Sequence, residues 1–322
     1  MKKFKKVAAL AIAAVMALSM TACGGSEGGA GDKYNVGVCQ LVQHPALDAA
    51  TQGFQDALKE KLGDEVFIDV QVASGEATQC STIAGTFVSN QYDLIMANAT
   101  AALQSSAQAT ADIPILGTSI TDYATALSMD NWTGVTGKNI SGTSDLAPLD
   151  QQAACLAELF PDAEKVGILY CSAEANSKYQ SDVISAELKN LGYEVEVFTF
   201  TDSNDVAQVT QSACENSDVI YVPTDNVVAD CTEAINNVAL PAKTPIFAGE
   251  SGICSGCGVA TLSIDYYDLG YQTGLMAYEI LVNGANPAEM EIQFAPKTQK
   301  MYNSTNASEL GITIPDDYTV IE

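Results

Sequence analysis

"GILYCSAEANSKYQ", residues 167–180, decides how the chain folds. Apolar residues run up to Cys171 like a buried strand. Ser172, Glu174, Asn176 and Ser177 then crowd small polar groups into a corner, and helical spacing begins behind them. A strand that passes through a short polar corner into a helix is one step of a β-α-β unit, because a parallel neighbour needs a crossover. The corner has two readings. Its residues cap the helix, or its exposed N–H groups receive a ligand's carboxylate.

The step recurs. "NVGVCQLV" at 35–42 matches "KVGILYCS" at 165–172, and "ALKEKLGDEVFIDV" at 57–70 matches "AELKNLGYEVEVFTF" at 186–200. "YDLIMANAT" at 92–100 matches "SDVIYVPTD" at 217–225, and "DIPILGTS" at 112–119 matches "KTPIFAGES" at 243–251. The offsets stay between 125 and 131 residues. Four blocks in one order predict an α/β chain of two Rossmann-like lobes, each a mostly parallel sheet covered by helices. Only "NWTGVTGKNISGTS" at 131–144 interrupts the alternation.

Ligands of such sheets bind beyond the carboxyl ends of the strands. Those ends are polar here. The first half offers His44, Thr100, Ser119 and Thr121. The second offers Ser172, Glu174, Asn176, Ser177, Thr224, Asp225, Asn226 and Glu250. Two rows of small polar groups describe a cleft.

Charge narrows what the cleft holds. The 322 residues carry 14 lysines, no arginine and 40 acids, for a net charge of −26. Nucleic acid is excluded as a partner, because it needs basic groups to displace counterions. Ligands clamped by guanidinium forks are disfavoured too. An acidic cleft suits cationic or zwitterionic ligands.

The start of the chain reads as an export signal. "MKKFKK" is basic, "VAALAIAAVMALSM" is apolar but short for a membrane span, and "TAC" brings small residues before Cys23. Residues 1–22 are therefore expected to be a lipoprotein signal, Cys23 a lipidation site, and 23–33 a Gly/Ser tether. The expected location is the outer face of a cell membrane, or the periplasm, with the lipid as anchor.

Catalysis finds little support. His44 is the lone histidine, no G-x-S-x-G elbow occurs, and "QLVQHPALDA" lacks a phosphate-binding glycine loop. His44 before a proline reads as a helix cap or a ligand contact at the rim. No cofactor and no metal are expected, since the cysteines are scattered. "CSGC" at 254–257 is the exception in spacing. It reads as a local disulfide or two free thiols in a tight turn, with a redox pair as the rival.

Asp225, Glu250 and Asp265 fall at or just past strand ends of the second half. Each suits an N-cap. "SIDYYDLGYQTGLMAYEI" also reads as a crossover strand entering a helix, which would turn Asp265 towards the cleft. Carboxylates there would hold an ammonium group.

"HPALDAATQGFQDAL", "CSAEANS", "YVPTDNVVA", "FAGESG", "SIDYYDLGYQTG" and "NASELGITIP" together resemble the solute-binding lipoproteins of ABC importers. The likeness is to the tryptophan/tyrosine-type branch of the type I periplasmic-binding-protein fold. It implies two lobes joined by crossover hinge strands, a non-enzymatic monomer, an ABC permease as partner, and an aromatic amino acid as ligand. It places lobe one at 34–146 plus 262–287, and lobe two at 147–261 plus 288–322. It implies ligand contacts from Asp225, Glu250 and Asp265, from Ser172, Glu174, Asn176 and Ser177, and from His44, Thr100, Ser119 and Thr121. Thr224 and Asn226 flank Asp225 and join the same set. Tyr170, Tyr266 and Trp132 are candidates for an aromatic clamp. A sugar, nucleobase or peptide ligand, or a sensor docked on a receptor, remains an alternative. "GICSGCG" departs from the pattern and leaves the wall near Glu250 open.

Overall fold

The computed structural model describes residues 33–321. The expected signal at 1–22, Cys23 and nearly all of the tether lie outside the described residues.

The first half runs β1 (Tyr34–Gln40), α1 (Pro45–Leu62), β2 (Val66–Val72), α2 (Ala77–Ser89) and β3 (Leu94–Asn98). It continues through α3 (Thr100–Ala109), β4 (Ile115–Ile120), α4 (Tyr123–Ala126) and β5 (Ile140–Ser144). The second half begins with α5 (Leu149–Leu159), β6 (Lys165–Cys171), α6 (Ala175–Asn190), β7 (Glu194–Phe200) and α7 (Val206–Asn216). Next come β8 (Val219–Val222), α8 (Asn226–Asp230), α9 (Thr232–Ala242), β9 (Ile246–Ala248), α10 (Ser251–Cys257) and β10 (Ala260–Ile264). The chain closes with α11 (Tyr266–Leu281), β11 (Gln293–Phe294), β12 (Thr298–Tyr302), α12 (Ser304–Leu310) and β13 (Thr319–Val320).

Two sheets result. One has the order β11-β5-β4-β3-β1-β2, the other β13-β12-β10-β9-β8-β6-β7. Strands two, one, three, four and five of each half therefore lie in the same sequence, as the repeated blocks predict. The paired strands are parallel except β10 with β12. Helices on both faces explain why the central strand β3, "LIMAN", is buried at every position, while edge strand β2 is not. Each lobe has its own cores on the two sides of its sheet.

The interrupted stretch at 131–144 ends in β5, which the sequence pattern had hidden. "ISGTS" has one large apolar residue, yet all five residues are buried. Its hydroxyls are satisfied inside: Thr143 Oγ1 lies 3.1 Å from Thr118 Oγ1 and 2.8 Å from Thr273 Oγ1.

The chain passes between the sheets after β5, after β10, and between β11 and β12. Leu262–Ile264 thus belong to the second sheet, and Gln293–Phe294 beyond residue 287 pair with the first. Helix α11 packs on α1 so closely that a Cβ on Gly270 would overlap the Ala50 carbonyl oxygen. This contact fixes α11, and with it the start of the second crossover, on the first lobe.

"CSGC" lies in helix α10, not in a tight turn, and Cys254 and Cys257 are free and buried. Burial pushes both thiols above their ordinary range, away from the reactive thiolate.

Candidate ligand-binding cleft

A narrow cavity lies between the lobes at the strand ends. The first lobe supplies His44, Ala46, Leu47, Ser119 and Thr121. The second supplies Asn176, Thr224, Asp225, Asn226, Ala229, Glu250 and Ile253, and the crossovers add Asp145 and Tyr266. Hydrogen bonds span the opening. His44 Nε2 lies 3.2 Å from Asn226 Oδ1, and Gln180 Nε2 donates to Thr121 Oγ1 at 3.3 Å. The lobes are closed on each other.

Each wall follows from its backbone. In the first lobe, Ala99 (φ 89°) and Ser119 (φ 55°) hold left-handed conformations at the ends of β3 and β4. Such conformations cost non-glycine residues energy and concentrate at binding sites. Ser119 Oγ and His44 Nδ1 are buried there without a protein hydrogen-bond partner. His44 occupies the N-cap position of α1, yet its side chain does not cap the helix.

In the second lobe the acids are occupied by backbone. Asp225 accepts from Val228 N and Cys171 N, both at 2.8 Å. Glu250 accepts from Gly252 N and Ile253 N at the start of α10. Glu174 leaves the first turn of its own helix uncapped and reaches to α8 instead. There it accepts from Asn226 N (3.1 Å), Asn226 Nδ2 (2.8 Å) and Val227 N (3.2 Å).

Asp145 differs. It is buried just after β5, and its partners are hydroxyls: Thr121 Oγ1 at 3.2 Å and Tyr266 OH at 2.9 Å. Burial pushes its carboxyl up to about 6. Burial likewise raises Glu250 to about 7, and burial together with the Glu174 charge raises Asp225 to about 8. The causes are desolvation and mutual repulsion, and no lysine lines the cavity to offset them. The cavity asks for a cation.

Of the residues expected at the site, His44, Ser119, Thr121, Asn176, Thr224, Asp225, Asn226 and Glu250 line the cavity. Glu174 and Ser177 stand behind them: Asn176 Nδ2 donates to Glu174 Oε2 at 2.9 Å, and Ser177 Oγ donates to the Thr224 carbonyl oxygen at 3.5 Å. Three do not reach it. Ser172 is exposed and donates to the Phe200 carbonyl oxygen. Thr100 opens α3 behind Ala99. Asp265 caps α11 by accepting from Asp268 N at 3.0 Å and lines a neighbouring cavity that shares Ala46 and Tyr266 with this one. Among the clamp candidates, Tyr266 lines the cavity, Tyr170 packs in the core of the second lobe, and Trp132 stacks on Tyr123. Sequence reasoning missed Asp145 because it missed β5.

Residues 35–321 match the family model for ABC transporter substrate binding proteins. The chain belongs to that family. A tyrosine-binding protein from Clostridioides difficile is 36% identical over 324 residues, covering 96% of this chain and 93% of that one. A domain from Streptococcus pneumonia solved in complex with L-Trp superposes with a TM-score of 0.85 at 33% identity, covering 90% of this chain and all of that one. A ligand-free, open substrate-binding protein with adhesive properties from Clostridium difficile is 35% identical and covers 90% of this chain and 99% of that one. It superposes with a TM-score of 0.70. The better fit to the complex agrees with the hydrogen bonds that span the cleft here. The family's two-lobed α/β architecture is the type I periplasmic-binding-protein fold, which this chain adopts. Among the described residues, no helix is long and apolar enough to cross a membrane.

Proposed function

We propose that the chain captures an aromatic L-amino acid between its closing lobes and delivers it to an ABC permease. The observation that carries this reading is Asp145, a buried carboxylate in the cavity wall held by two hydroxyls and by no cation. An α-ammonium is the group that would relieve it. The ligand's carboxylate would rest between the unpartnered Ser119 hydroxyl and the uncapped first turn of α6, where Asn176 lines the cavity. Backbone N–H groups and the helix dipole favour an anion there, without any arginine. Thr121 joins the two subsites, since it donates to Asp145 and accepts from Gln180 of α6. A zwitterion would thus contact both lobes at once, which is how a ligand favours closure. The relatives' ligands, tyrosine and L-Trp, support an aromatic side chain.

The same reading makes the protein a non-enzymatic monomer, exported and anchored through lipid on Cys23. Lobe one, expected at 34–146 plus 262–287, would take its second segment from about 265 to 294, because β10 lies in the second sheet and β11 in the first. Thermal unfolding of the soluble chain against a panel of amino acids, sugars and nucleobases tests the ligand class. A ligand at about 100 times its dissociation constant adds roughly 2.7 kcal/mol of stability. The expected result is a raised midpoint with tyrosine or tryptophan. A shift with sugars or nucleobases alone would refute the zwitterion reading.

A further inference from the structure

The cavity contains a second acceptor, distinct from its carboxylates. Asn226 donates through Nδ2 to Glu174 Oε2 at 2.8 Å, so its Oδ1 is the atom that faces His44 Nε2 at 3.2 Å. An amide oxygen only accepts, so Nε2 must carry the hydrogen. Burial lowers the histidine's proton affinity below its ordinary value, which keeps the ring neutral. Nδ1 is then a bare acceptor. It is buried and has no protein partner, and His44 lines the cavity. A buried acceptor left unpaired is costly, so a ligand that supplies an N–H or O–H at that point gains over one that does not.

Position indicates which part of the ligand meets it. Ser119 lies near the end of β4, Thr121 follows it and Asp145 follows the neighbouring β5, and they would hold the ammonium and carboxylate. His44 follows β1, two strands from β4 in the sheet order, and bonds to the first residue of α8, whose amide shares Glu174 Oε2 with Asn176. The apolar Ala46, Leu47 and Ala229 line the cavity as well and suit the body of a ring.

We propose that His44, fixed as its Nε2–H tautomer by Asn226 and Glu174, accepts a hydrogen bond from a donor on the ligand's side chain. The pocket then selects tyrosine or tryptophan over phenylalanine. This inference rests on the aromatic amino-acid reading above.

Calorimetric titration of the wild-type protein with L-tyrosine, L-tryptophan, L-phenylalanine and 3-benzothienyl-L-alanine tests it directly. The last is a near-isostere of tryptophan with sulfur in place of N–H. The donor-bearing ligand that binds tighter, tyrosine or tryptophan, should exceed its donor-less analogue by about tenfold or more. In His44→Leu that preference should fall below about threefold through loss of the donor-bearing ligand alone. His44→Gln, whose amide oxygen accepts, should restore part of it. Wild-type affinities within about threefold of each other would overturn the proposal, as would a preference that survives in His44→Leu. Binding of none of the four would instead remove the aromatic amino-acid reading and this inference with it.

Discussion

Asp145 and Asp265 occupy the same place in the two halves of the molecule. Each directly follows the fifth strand of its half, β5 or β10, where the chain leaves one sheet for the other lobe. Their environments are opposite. Helix α11 begins at the residue after Asp265, so that carboxylate caps it and stays exposed. Helix α5 begins only at Leu149, with Pro148 at its cap, so Asp145 has no helix to cap and turns inward to two hydroxyls. The lesson is that helix position decides what an aspartate does at a strand end. A helix start takes up the charge as structure. A short loop leaves it available to a ligand.

The largest expected effect separates the two residues. Asp145→Asn should weaken aromatic amino-acid binding by about 100-fold or more, the scale of removing one partner from a buried charge pair. It should leave the ligand-free protein as stable or more so, because an uncompensated buried charge is gone. Equilibrium titration and thermal unfolding of the same sample read both signs.

Next comes the contrast with the capping acids. Asp225→Ala or Glu250→Ala should cost about 1–2 kcal/mol of stability through the lost caps, and either should cost less affinity than Asp145→Asn. Chemical denaturation of the ligand-free variants checks this. A stability loss in Asp145→Asn as large as theirs would erase the distinction.

The pH dependence has a definite sign. In the folded protein Asp145, Glu250 and Asp225 hold their protons up to about 6, 7 and 8. Their folded values lie above the ordinary carboxylate range of about 4, so their contribution to stability is full below that range. It is lost as pH rises through the folded values. The ligand-free unfolding midpoint should therefore fall from about pH 4 to about pH 8, while affinity for the ammonium rises over the same span. A flat midpoint would mean that these acids ionise freely.

The smallest effect belongs to the outward residues. Asp265→Asn and Ser172→Ala should leave affinity within about twofold, because both side chains are exposed and neither lines the cleft. A larger loss would bring the neighbouring cavity into the site.

Much of the fold was legible because β-α-β units write themselves twice. Central strands are continuous apolar runs, helices keep their period, and the matching blocks showed that the two halves repeat one β-α-β plan. β5 escaped because a buried strand of serine, glycine and threonine carries no apolar run; its hydroxyls bond inside. Its position relative to β10 was the available signal, since "GTSD" at 142–145 stands where "LSID" at 262–265 does. The polar strand ends were legible as residue types. Which of them face inward depends on helix starts one to four residues away, a distance at which sequence patterns blur. His44 illustrates the limit: its neighbour Pro45 marked a helix start, but nothing in the sequence told that Asn226, 182 residues on, would fix its tautomer.

In the proposed site Asp145 holds the ligand's ammonium. The direct measurement is a four-way titration of wild type and Asp145→Asn with L-tyrosine and with its des-amino analogue, 3-(4-hydroxyphenyl)propionate. Wild type should prefer the amino acid by about 100-fold or more, and Asp145→Asn should reduce that preference to below about fivefold. A preference that survives the substitution unchanged would place the ammonium elsewhere and contradict the account.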